Sequence, residues 1–511
     1  MRRRFPLTAS CAATALTVTL SLALTAPAAS AGGKHEPWVM RSATMSTDAK
    51  AFRSLCGKQK EGKPQRLTFP LFKHGKPFTA VQDFQRRNAD GSVYWGGHDP
   101  KNSENTISVT VIGACTNGPV TLSGAIQVGF HQYMYEPLAK KHAGQYVLQE
   151  IDSLKLPPSG RGVDTVDVPA KKPHKPHKPQ KPGQRAATPD NPAAIDIVAA
   201  YTPATVNELG SVSAVLSRIG YGVNQLNRAL ANSNVPASVH VVNTYQTAAT
   251  GVPRENVNTL LGMINNPTNT VLGVTANAQR QRYGADLVAL LASVPVEDSS
   301  GASDLPSSGP SATTDRNAFS VTSIYSVTGW ENLAHEIGHN FGMQHDRLTV
   351  SRQGGTPPAG SFNYGWVTPN GQHRTLMAYS TACPQPCNVV NAYSNTERVW
   401  GDQPLGNAMN NNAAVARQNA DILAAYRPST VTNRSSLTLF TTPAAGGTVR
   451  VSEYGPYDPG TRVTVTAFPN PGYRFDAWAV DGVELDVTAP SYELTMNGNR
   501  TINALFAPIE P

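Results

Sequence analysis

The stretch "HEIGHNFGMQHD", His335 to Asp346, constrains the fold of this 511-residue chain more than any other. The chain has twelve histidines, yet three of them lie within eleven positions here, and a glutamate follows the first. His335 and His339 are four residues apart, so a helix over this stretch places both imidazoles on one face. Gly342 can adopt the left-handed conformation that ends a helix, and the turn can bring His345 back beside the other two. The spacing therefore predicts a helix, a sharp turn and three converging imidazoles.

Three neutral imidazole nitrogens around a divalent ion leave one coordination position open, which distinguishes a catalytic zinc site from a closed structural one. Glu336 would then lie beside the ion without binding it, where its carboxylate can take a proton from a water molecule. The stretch predicts one catalytic Zn²⁺ bound by His335, His339 and His345, with Glu336 as general base and then general acid in peptide hydrolysis. No calcium site can be read from the sequence, so calcium stays an open alternative.

The pattern H-E-x-x-H-x-x-G-x-x-H is the signature of the metzincin zinc endopeptidases, and the chain resembles that clan in a second feature. "RTLMAYS" supplies Met377 after the third histidine, where metzincins have a methionine-containing turn beneath the metal. Asp346 resembles the reprolysin branch, whose carboxylate hydrogen-bonds structure around the turn. Tyr379 resembles astacins and serralysins, whose tyrosine hydroxyl reaches the metal or the developing oxyanion. The resemblance implies structural roles for Gly342, Asp346 and Met377, and a transition-state donor role for Tyr379.

A wider resemblance covers residues 195–427. The segments "IDIVAAYTP", "GADLVALL", "RTLMAY" and "CPQPC" follow, in order, the layout of bacterial secreted reprolysin-like enzymes similar to the peptidyl-Asp metalloendopeptidases. Ser300-Gly301 stands where that resemblance implies Cys-Gly, so one disulfide of those enzymes is not expected here. A pocket for acidic side chains would need a cation. Arg374 and Arg398 are the nearest candidates by sequence, and both are expected to be surface arginines instead.

Short apolar strands alternate with helices over residues 194–428. "IDIVAAYTP", "ASVHVVNTY" and "ADLVALLAS" read as strands, and apolar residues from Val212 onward recur every three or four positions, as on one face of a helix. A final helix is predicted to end at Pro428. The alternation predicts a catalytic domain of the α/β (α+β) class, with a mixed twisted sheet and an active-site helix.

The first 31 residues have the features of an export signal. Arg2 to Arg4 form a cationic start, an apolar run follows, and "ASA" ends at Ala31, after which cleavage is predicted. No other stretch approaches the roughly 18 consecutive apolar residues of a membrane span. The sequence therefore predicts a secreted, extracellular protein without a membrane span.

Residues 32–168 are predicted to form a β-rich propeptide domain, and residues 169–193 a Lys/Pro-rich linker. Apolar and polar residues alternate on both sides of Asn117-Gly118, a hairpin signal. The linker is extended and exposed, and Arg185 is its predicted processing point. Up to Arg185 the mature chain has sixteen lysines and seven arginines against twelve acidic residues, whereas residues 186–511 have seventeen arginines against 23 acidic residues. This asymmetry predicts a basic propeptide that shields an acidic enzyme, rather than nucleic-acid binding.

Four cysteines remain after the signal, an even number in an oxidising compartment, which predicts two disulfides. Cys383 and Cys387 are close enough in sequence to pair, which leaves Cys56 for Cys115. An alternative stays open, because "LCGK" resembles the Cys-Gly of propeptides whose thiolate occupies the open zinc position. Cys56 would then be a latency switch, and Cys115 would be left unpaired.

A short linker over residues 429–436 leads to a predicted small all-β module over residues 437–511, with alternating strands separated by turn residues. The pattern "GTRVTVTAFPNPGYRFDAW" resembles bacterial repeats of the internalin B-repeat type. Tyr473 and Trp478 could form a binding face for a cell-wall or surface ligand. Aromatic residues in so small a domain are more often part of the core.

These features together predict a multidomain, secreted zinc endopeptidase that is made as a zymogen, acts on protein or peptide substrates and is inhibited by its own propeptide. The alternative is an extracellular adhesion or wall-binding protein whose metzincin scaffold is catalytically inactive. Glu336 argues against this alternative, because a non-catalytic zinc site has no use for that carboxylate.

Overall fold

The architecture comes from a computed structural model of the chain. It describes residues 38–47, 49–56, 65–72, 76–87, 92–115, 119–129, 131–138, 144–155, 165–167, 193–247, 256–294, 300–306, 310, 314–430, 435, 437–443, 446–452, 457, 460–498 and 500–509. Three predicted features lie outside the described residues: the signal segment over 1–31, the Asn117-Gly118 turn, and the linker through residue 192 with its processing point at Arg185.

The region that the sequence predicts to be a propeptide, the propeptide region, is built on one antiparallel sheet. Its strands are β1 (Val39–Ser46), β2 (Arg66–Phe69), β3 (Phe78–Arg87), β4 (Val93–Asp99), β5 (Asn102–Ile112), β6 (Thr121–Val128), β7 (His131–Pro137) and β8 (Gln145–Asp152), with the short helix α1 (Ala49–Arg53) after β1. The strand order is β1-β8-β7-β6-β5-β4-β3-β2. Strands β5 and β6 pair antiparallel, which confirms the hairpin predicted from their alternating sequences. Apolar residues on one face pack around the fully buried Trp95.

A second, six-stranded sheet forms the centre of the catalytic region. Its strands are β9 (Thr165–Asp167), β10 (Ala193–Tyr201), β11 (Ala237–Gln246), β12 (Leu287–Ala292), β13 (Gly301–Leu305) and β14 (Phe319–Ser323). The order is β11-β10-β12-β14-β13-β9, in which β11, β10, β12 and β14 are parallel and β13 is antiparallel to β14. Every residue of β12 is buried, as expected for a parallel strand covered on both faces. The sheet is therefore mixed, as predicted.

Helices cover both faces of this sheet. They are α2 (Pro203–Leu209), α3 (Val212–Asn232), α4 (Val257–Asn265), α5 (Gly273–Tyr283), α6 (Asn332–Asn340), α7 (Arg347–Arg352) and α8 (Asn412–Leu423). Helices α3, α6 and α8 pack on one face, and α4 and α5 on the other. Short strands β15 (His373–Thr375), β16 (Asn388–Val390), β17 (Val399–Trp400) and β18 (Gln403–Pro404) lie between α7 and α8. Among the described helices, none is both long enough and apolar enough to cross a membrane.

The longest helix, α3, follows the predicted apolar periodicity. It begins after Ser211, whose side-chain oxygen accepts a hydrogen bond from the backbone N–H of Ala214. Its apolar stripe includes Leu226 and Leu230, which are completely buried.

The final helix differs from the prediction. It ends at Leu423 rather than at Pro428, because the backbone N–H of Arg427 donates to the carboxylate of Asp286 and the chain has left the helix before the proline.

Strand β9 belongs to the propeptide region in sequence, yet it completes the catalytic sheet. It pairs parallel with β13, with Thr165 opposite Ser303 and Asp167 opposite Leu305. Strand β13 would otherwise form the edge of the sheet, where backbone N–H and C=O groups are available to another extended chain. The propeptide therefore occupies the outer side of β13.

The propeptide sheet and the catalytic region also share apolar packing. Ala125, Met134 and Ile151 from the propeptide belong to the same buried cluster as the apolar faces of α3 and α6. Trp38 packs edge-on against Trp330, just before α6, with ring centroids 6.3 Å apart. Removal of the propeptide would expose this apolar surface.

One salt bridge across this interface has the opposite sense to the overall charge difference between the two regions. Arg218 of α3 forms a salt bridge with Glu136 of the propeptide, so here the catalytic region supplies the cation. Arg228, also on α3, donates to the hydroxyl of Thr106 at 3.3 Å. In the described contacts, apolar packing, hydrogen bonds and this salt bridge hold the two regions together. The overall charge difference does not indicate which region supplies the cation at a given contact.

The C-terminal module consists of two small sheets. Its strands are β19 (Leu437–Thr442), β20 (Gly447–Val451), β21 (Thr461–Pro469), β22 (Tyr473–Val480), β23 (Val483–Leu485), β24 (Ser491–Met496) and β25 (Arg500–Pro508), in the orders β19-β25-β22-β23 and β20-β21-β24. Trp478 is fully buried and donates its indole N–H to the carbonyl of Ala489. Trp478 is therefore a core residue, which rules it out as part of an exposed binding face.

Both predicted disulfides are present, Cys56–Cys115 and Cys383–Cys387. Because Cys56 is bonded to Cys115, its thiol does not act as the latency switch that the sequence left open.

Removal of the two disulfides should lower the free energy of unfolding by different amounts, because the two bonds close loops of different length. The cysteines are 59 residues apart in Cys56–Cys115 and 4 apart in Cys383–Cys387. Loop-closure entropy predicts that replacing both members of a pair by serine lowers the free energy of unfolding by roughly 4 kcal/mol for the first pair and roughly 2 kcal/mol for the second. Denaturant titrations of both variants under non-reducing conditions measure the difference. Equal losses, or a larger loss for the second pair, would contradict the expectation.

Candidate metal centre

Helix α6 and the turn after it position the three histidines. His335 and His339 lie one turn apart on α6, with ring centroids 4.9 Å apart. The helix ends at Asn340, and Gly342, two residues later, has a φ of 90° and therefore needs glycine's freedom in the left-handed region. The chain then reverses, so that His345 returns toward the helix. The structure thus has the helix, turn and third imidazole that the spacing predicts.

The three imidazole rings converge on one point. The Nε2 atom of His345 lies 3.2 Å from Nε2 of His335 and 3.1 Å from Nε2 of His339. All three side chains are buried, and together they form a group that could hold a metal ion. A tetrahedral zinc ion with Zn–N distances of about 2.0–2.1 Å keeps its nitrogen ligands roughly 3.3 Å apart, so the spacing fits zinc.

The other ring nitrogens fix how each imidazole is turned. Nδ1 of His335 lies 2.8 Å from the carbonyl of Leu376, and Nδ1 of His339 lies 2.8 Å from the carbonyl of Met343. A carbonyl only accepts, so each Nδ1 donates and each Nε2 keeps its lone pair toward the shared point. Nδ1 of His345 is 3.1 Å from Oε1 of Gln353, which orients the third ring in the same way. This donor set is typical of a metal site with its supporting hydrogen bonds.

Asp346 joins the end of the motif to the methionine turn. One carboxylate oxygen accepts from the N–H of Thr349 at 2.8 Å and so caps α7, while the other accepts from the N–H of Tyr379 at 3.0 Å. A single side chain therefore ties together the segment after His345 and the segment after Met377. The contact agrees with the structural role that the reprolysin resemblance implies for Asp346.

Met377 lies fully buried against the underside of α6. A Cβ added at Gly338 would lie 2.7 Å from the sulfur of Met377, so the glycine allows the helix and the methionine turn to approach closely. Tyr393 supports the same helix by donating its hydroxyl to the carbonyl of Ala334 at 2.8 Å. The ring of Tyr379 lies beside the site, with its centroid 4.5 Å from that of His345.

Glu336, which follows His335 on α6, is fully buried and lies between two neighbours that were not predicted from the sequence. Asn332, one turn earlier on α6, donates its side-chain amide to Oε1 of Glu336 at 3.0 Å. On the other side, Gly301 of β13 leaves no room for a side chain, since a Cβ there would lie 2.2 Å from Oε1. The i, i+4 spacing of Asn332 and Glu336 was a readable signal, whereas the approach of Gly301 depends on the sheet.

Glu331 anchors the start of α6. It has a φ of 54° and accepts hydrogen bonds from the side-chain amides of Gln225 and Asn391. Burial raises the pKa of Glu331, and the bond from Asn391 together with the nearby Arg228 and Arg374 partly offsets that rise. These contacts hold the first turn of α6 against α3.

The two arginines proposed for an acidic-substrate pocket have other contacts. Arg374 is buried, which contradicts its expected surface position, and it donates to the carbonyl of Ala378 at 2.6 Å. Burial lowers the pKa of Arg374 to about 10, and the charges of Asp346 and Glu331 oppose that decrease. Arg398 donates to the side-chain oxygen of Asn234. Both guanidinium groups therefore have structural partners within the protein.

Asp304 lies on β13 beside α6 and is completely buried. Its carboxylate accepts from the side-chain amide of Asn265 and from the backbone N–H of Phe319. The side-chain amide of Asn340, the last residue of α6, donates to the backbone carbonyl of Asp304 at 2.9 Å. Burial raises the pKa of Asp304 to about 7, although both hydrogen bonds to its carboxylate act in the opposite direction.

Two segments of the chain match known families. Residues 191–394 match the model described as Metallo-peptidase family M12, and residues 437–510 match the Divergent InlB B-repeat domain. The first match covers strands β10 to β14, the three histidines and the methionine turn, so the comparison identifies this part of the chain as similar to the M12 metallopeptidase domain. The second covers both sheets of the C-terminal module.

Relatives of the chain are enzymes called Peptidyl-Asp metalloendopeptidase. The one from Stenotrophomonas maltophilia is 26% identical over 371 residues, which span 71% of this chain and 83% of the relative. The one from Xanthomonas campestris is 26% identical over 355 residues, which span 68% and 78% respectively. A solved structure described as a chaperone-substrate complex covers 46% of this chain and 35% of its own, at 20% identity and a TM-score of 0.36.

The raised pKa of Asp304 should make stability depend on pH. The pKa of an aspartate in the unfolded chain is about 3.9, so the folded protein binds the proton more tightly than the unfolded chain does. The contribution of Asp304 is fully present below pH of about 4 and is lost as the pH rises through about 7. Asp304→Asn cannot ionise and should lack this component.

Thermal unfolding of both proteins between pH 4.5 and 8.5 measures this effect. The midpoint of the wild type relative to that of Asp304→Asn should fall as the pH rises. A difference that stays constant, or that moves in the other direction, would contradict the assignment.

Proposed function

We propose that this zinc metalloendopeptidase is a secreted enzyme that is made as an inactive precursor and hydrolyses peptide bonds in extracellular proteins or peptides. In this proposal His335, His339 and His345 bind the zinc ion, and Glu336 is the general base. The observation that supports it best is the approach of the buried Nε2 atom of His345 to within 3.2 Å of Nε2 of His335 and 3.1 Å of Nε2 of His339. Export is proposed from the signal-like first 31 residues.

The chemistry divides between the metal and the chain. Zinc, when bound, supplies a Lewis acid that can lower the pKa of a water molecule to about 7. Glu336 accepts a proton from that water as the water oxygen adds to the peptide carbonyl carbon. The same carboxylate then delivers the proton to the leaving amine nitrogen as the carbon–nitrogen bond breaks. A carboxylate of ordinary basicity suffices for both transfers.

Four further residues have proposed roles in the same reaction. Tyr379 is the candidate donor to the carbonyl oxygen as negative charge develops there, because its ring lies beside that of His345. Asp346 holds the backbone of Tyr379 in place, and Met377 supports the helix from below. Gly342 provides the turn that returns the third ligand.

The precursor is proposed to be inactive because its own β9 occupies the outer side of β13. An extended substrate could pair with that strand, since backbone groups at a sheet edge accept another strand. Gly301, at the start of β13, also contacts the Glu336 carboxylate, so a chain beside β13 would lie next to the reacting groups. Strand β9 already pairs with Ser303 to Leu305 and would compete with substrate.

Substrate preference and the role of the C-terminal module are separate questions. The relatives are called peptidyl-Asp enzymes, but Arg374 and Arg398 are engaged inside this protein, so neither supports an acidic-side-chain pocket here. We propose protein or peptide substrates without a stated preference. A cell-wall or surface ligand remains the proposed partner of the C-terminal module.

Replacement of Glu336 by glutamine tests the mechanism against the alternative of an inactive scaffold. The amide keeps the size of the side chain but cannot accept the proton, so hydrolysis should fall by about 10²- to 10⁴-fold with zinc content unchanged. Casein cleavage by the processed enzyme, together with metal analysis, measures both quantities. Glu397→Gln, at an exposed position, is the control and should retain activity. Full activity in Glu336→Gln would refute the mechanism, and an inactive wild type would favour the binding protein.

A proline in β9 tests the inhibition. Val166→Pro fixes φ at about −65° and removes one backbone N–H in the middle of the three-residue strand that pairs with β13, so it should weaken this pairing. Hydrolysis of a fluorogenic peptide by the uncleaved precursor should rise by roughly tenfold, the change that corresponds to about 1.4 kcal/mol of lost pairing. Gln180→Pro, in the linker, is the matched control and should leave the precursor inactive. Equal activity in the two variants would contradict the role of β9.

A further inference from the structure

The carboxylate of Glu336 is held from two sides by parts of the chain that are distant in sequence. Asn332 donates its side-chain N–H to Oε1 at 3.0 Å, and both side chains are almost completely buried. A buried hydrogen bond of this kind restricts the direction in which the carboxylate can point. A hydrogen bond to a charged group is stronger than one between neutral groups.

The placement of Asn332 is informative because asparagine is a poor helix former that is usually found at helix caps and turns. Asn332 is the first residue of α6, and its backbone N–H already has a partner in the carbonyl of Ser326 at 3.1 Å. Its side chain points along the helix to Glu336 instead of capping the free N–H groups of the first turn. Helix stability alone does not account for this arrangement.

Gly301 closes the opposite side. A Cβ at this position would lie 2.2 Å from Oε1 of Glu336 and 2.6 Å from the amide nitrogen of Asn332. Neither distance is compatible with a side chain, so the backbone of β13 itself limits where the carboxylate and its donor can move. Strand β13 is fixed against α6 by Asn340, whose side-chain amide donates to the Ser303 hydroxyl and to the carbonyl of Asp304.

We infer that Asn332 and Gly301 are positioning residues for Glu336: together they restrict its carboxylate to one orientation beside the three histidines. This inference rests on the proposed role of Glu336 as general base. Proton transfer requires the acceptor within hydrogen-bond reach of the water, so loss of either restraint lowers the fraction of enzyme in the productive arrangement. The effect should fall on kcat, since neither residue is proposed to bind the substrate.

The test uses Asn332→Ala, Asn332→Asp and Gly301→Ala in the processed enzyme. Asn332→Asp has almost the same shape as asparagine but offers no N–H to the carboxylate, so it separates the hydrogen bond from packing. In Asn332→Ala and Asn332→Asp, kcat should fall roughly 10- to 100-fold while KM stays within about twofold. Gly301→Ala should lower kcat in the same way by displacing the carboxylate. Zinc content, measured without substrate, should remain that of the wild type in both Asn332 variants.

Asn277→Ala is the matched control for loss of an asparagine hydrogen bond within a helix. Its side-chain amide donates to the carbonyl of Gly273 on α5, far from Glu336 in sequence and outside the active-site helix. This variant should keep the wild-type kcat. A fall equal to that of Asn332→Ala would overturn the inference.

A double variant separates positioning from a general structural effect. If Asn332 acts through Glu336, adding Asn332→Ala to Glu336→Gln should leave the residual rate unchanged, because the group that it positions is already absent. A further fall of similar size in the double variant, or loss of zinc from Asn332→Ala and Asn332→Asp, would overturn the inference. Normal kcat in the Asn332 variants beside an inactive Glu336→Gln would refute the inference alone, whereas an active Glu336→Gln would refute the proposed function.

Discussion

The convergence of three imidazole nitrogens, with Nε2 of His345 within 3.2 Å of His335 and 3.1 Å of His339, is the constraint on which the rest of the catalytic region depends. Three lone pairs directed at one point repel one another, so the surrounding chain must hold the rings in place. The carbonyls of Leu376 and Met343 and the side chain of Gln353 provide this restraint. These three groups come from the methionine turn, the loop after α6, and the end of α7. The orientation of the three rings therefore depends on the backbone conformation of all three segments.

The helix that carries two of the ligands is itself held at both ends. Glu331 fixes its start against α3, and Asn340 fixes its end against β13. Helix α3 also faces the propeptide region. Arg228 on this helix donates a hydrogen bond to the Thr106 hydroxyl, and its positive charge lowers the pKa of Glu331. The propeptide thus packs against the same elements that hold the active-site helix. Folding of the precursor and formation of the site share one set of contacts.

The parts that could be predicted from the sequence are those that depend on local geometry. Helical periodicity and a glycine turn were sufficient to predict the three converging histidines, and alternation was sufficient for the propeptide strands. Gly301 could not be assigned in this way, because its proximity to Glu336 depends on the order of strands in the sheet. Arg374 was wrongly expected at the surface, since a buried guanidinium is uncommon and its partners come from other segments. The Arg218–Glu136 pair shows that a difference in total charge does not identify which side supplies the cation at a contact.

The position of β9 has a consequence for what a cut in the linker can achieve. Residues 168–192 connect β9, at one edge of the catalytic sheet, to β10, four strands away. A cut within that connection leaves the described strands β9 and β10 whole, so the pairing of β9 with β13 is retained. The cut does change a tethered contact into one between two separate molecules, which lowers the effective concentration of the N-terminal piece at β13. If β9 inhibits as proposed, activity after the cut depends on dilution, and an enzyme cut in a confined space stays inhibited until the two pieces diffuse apart.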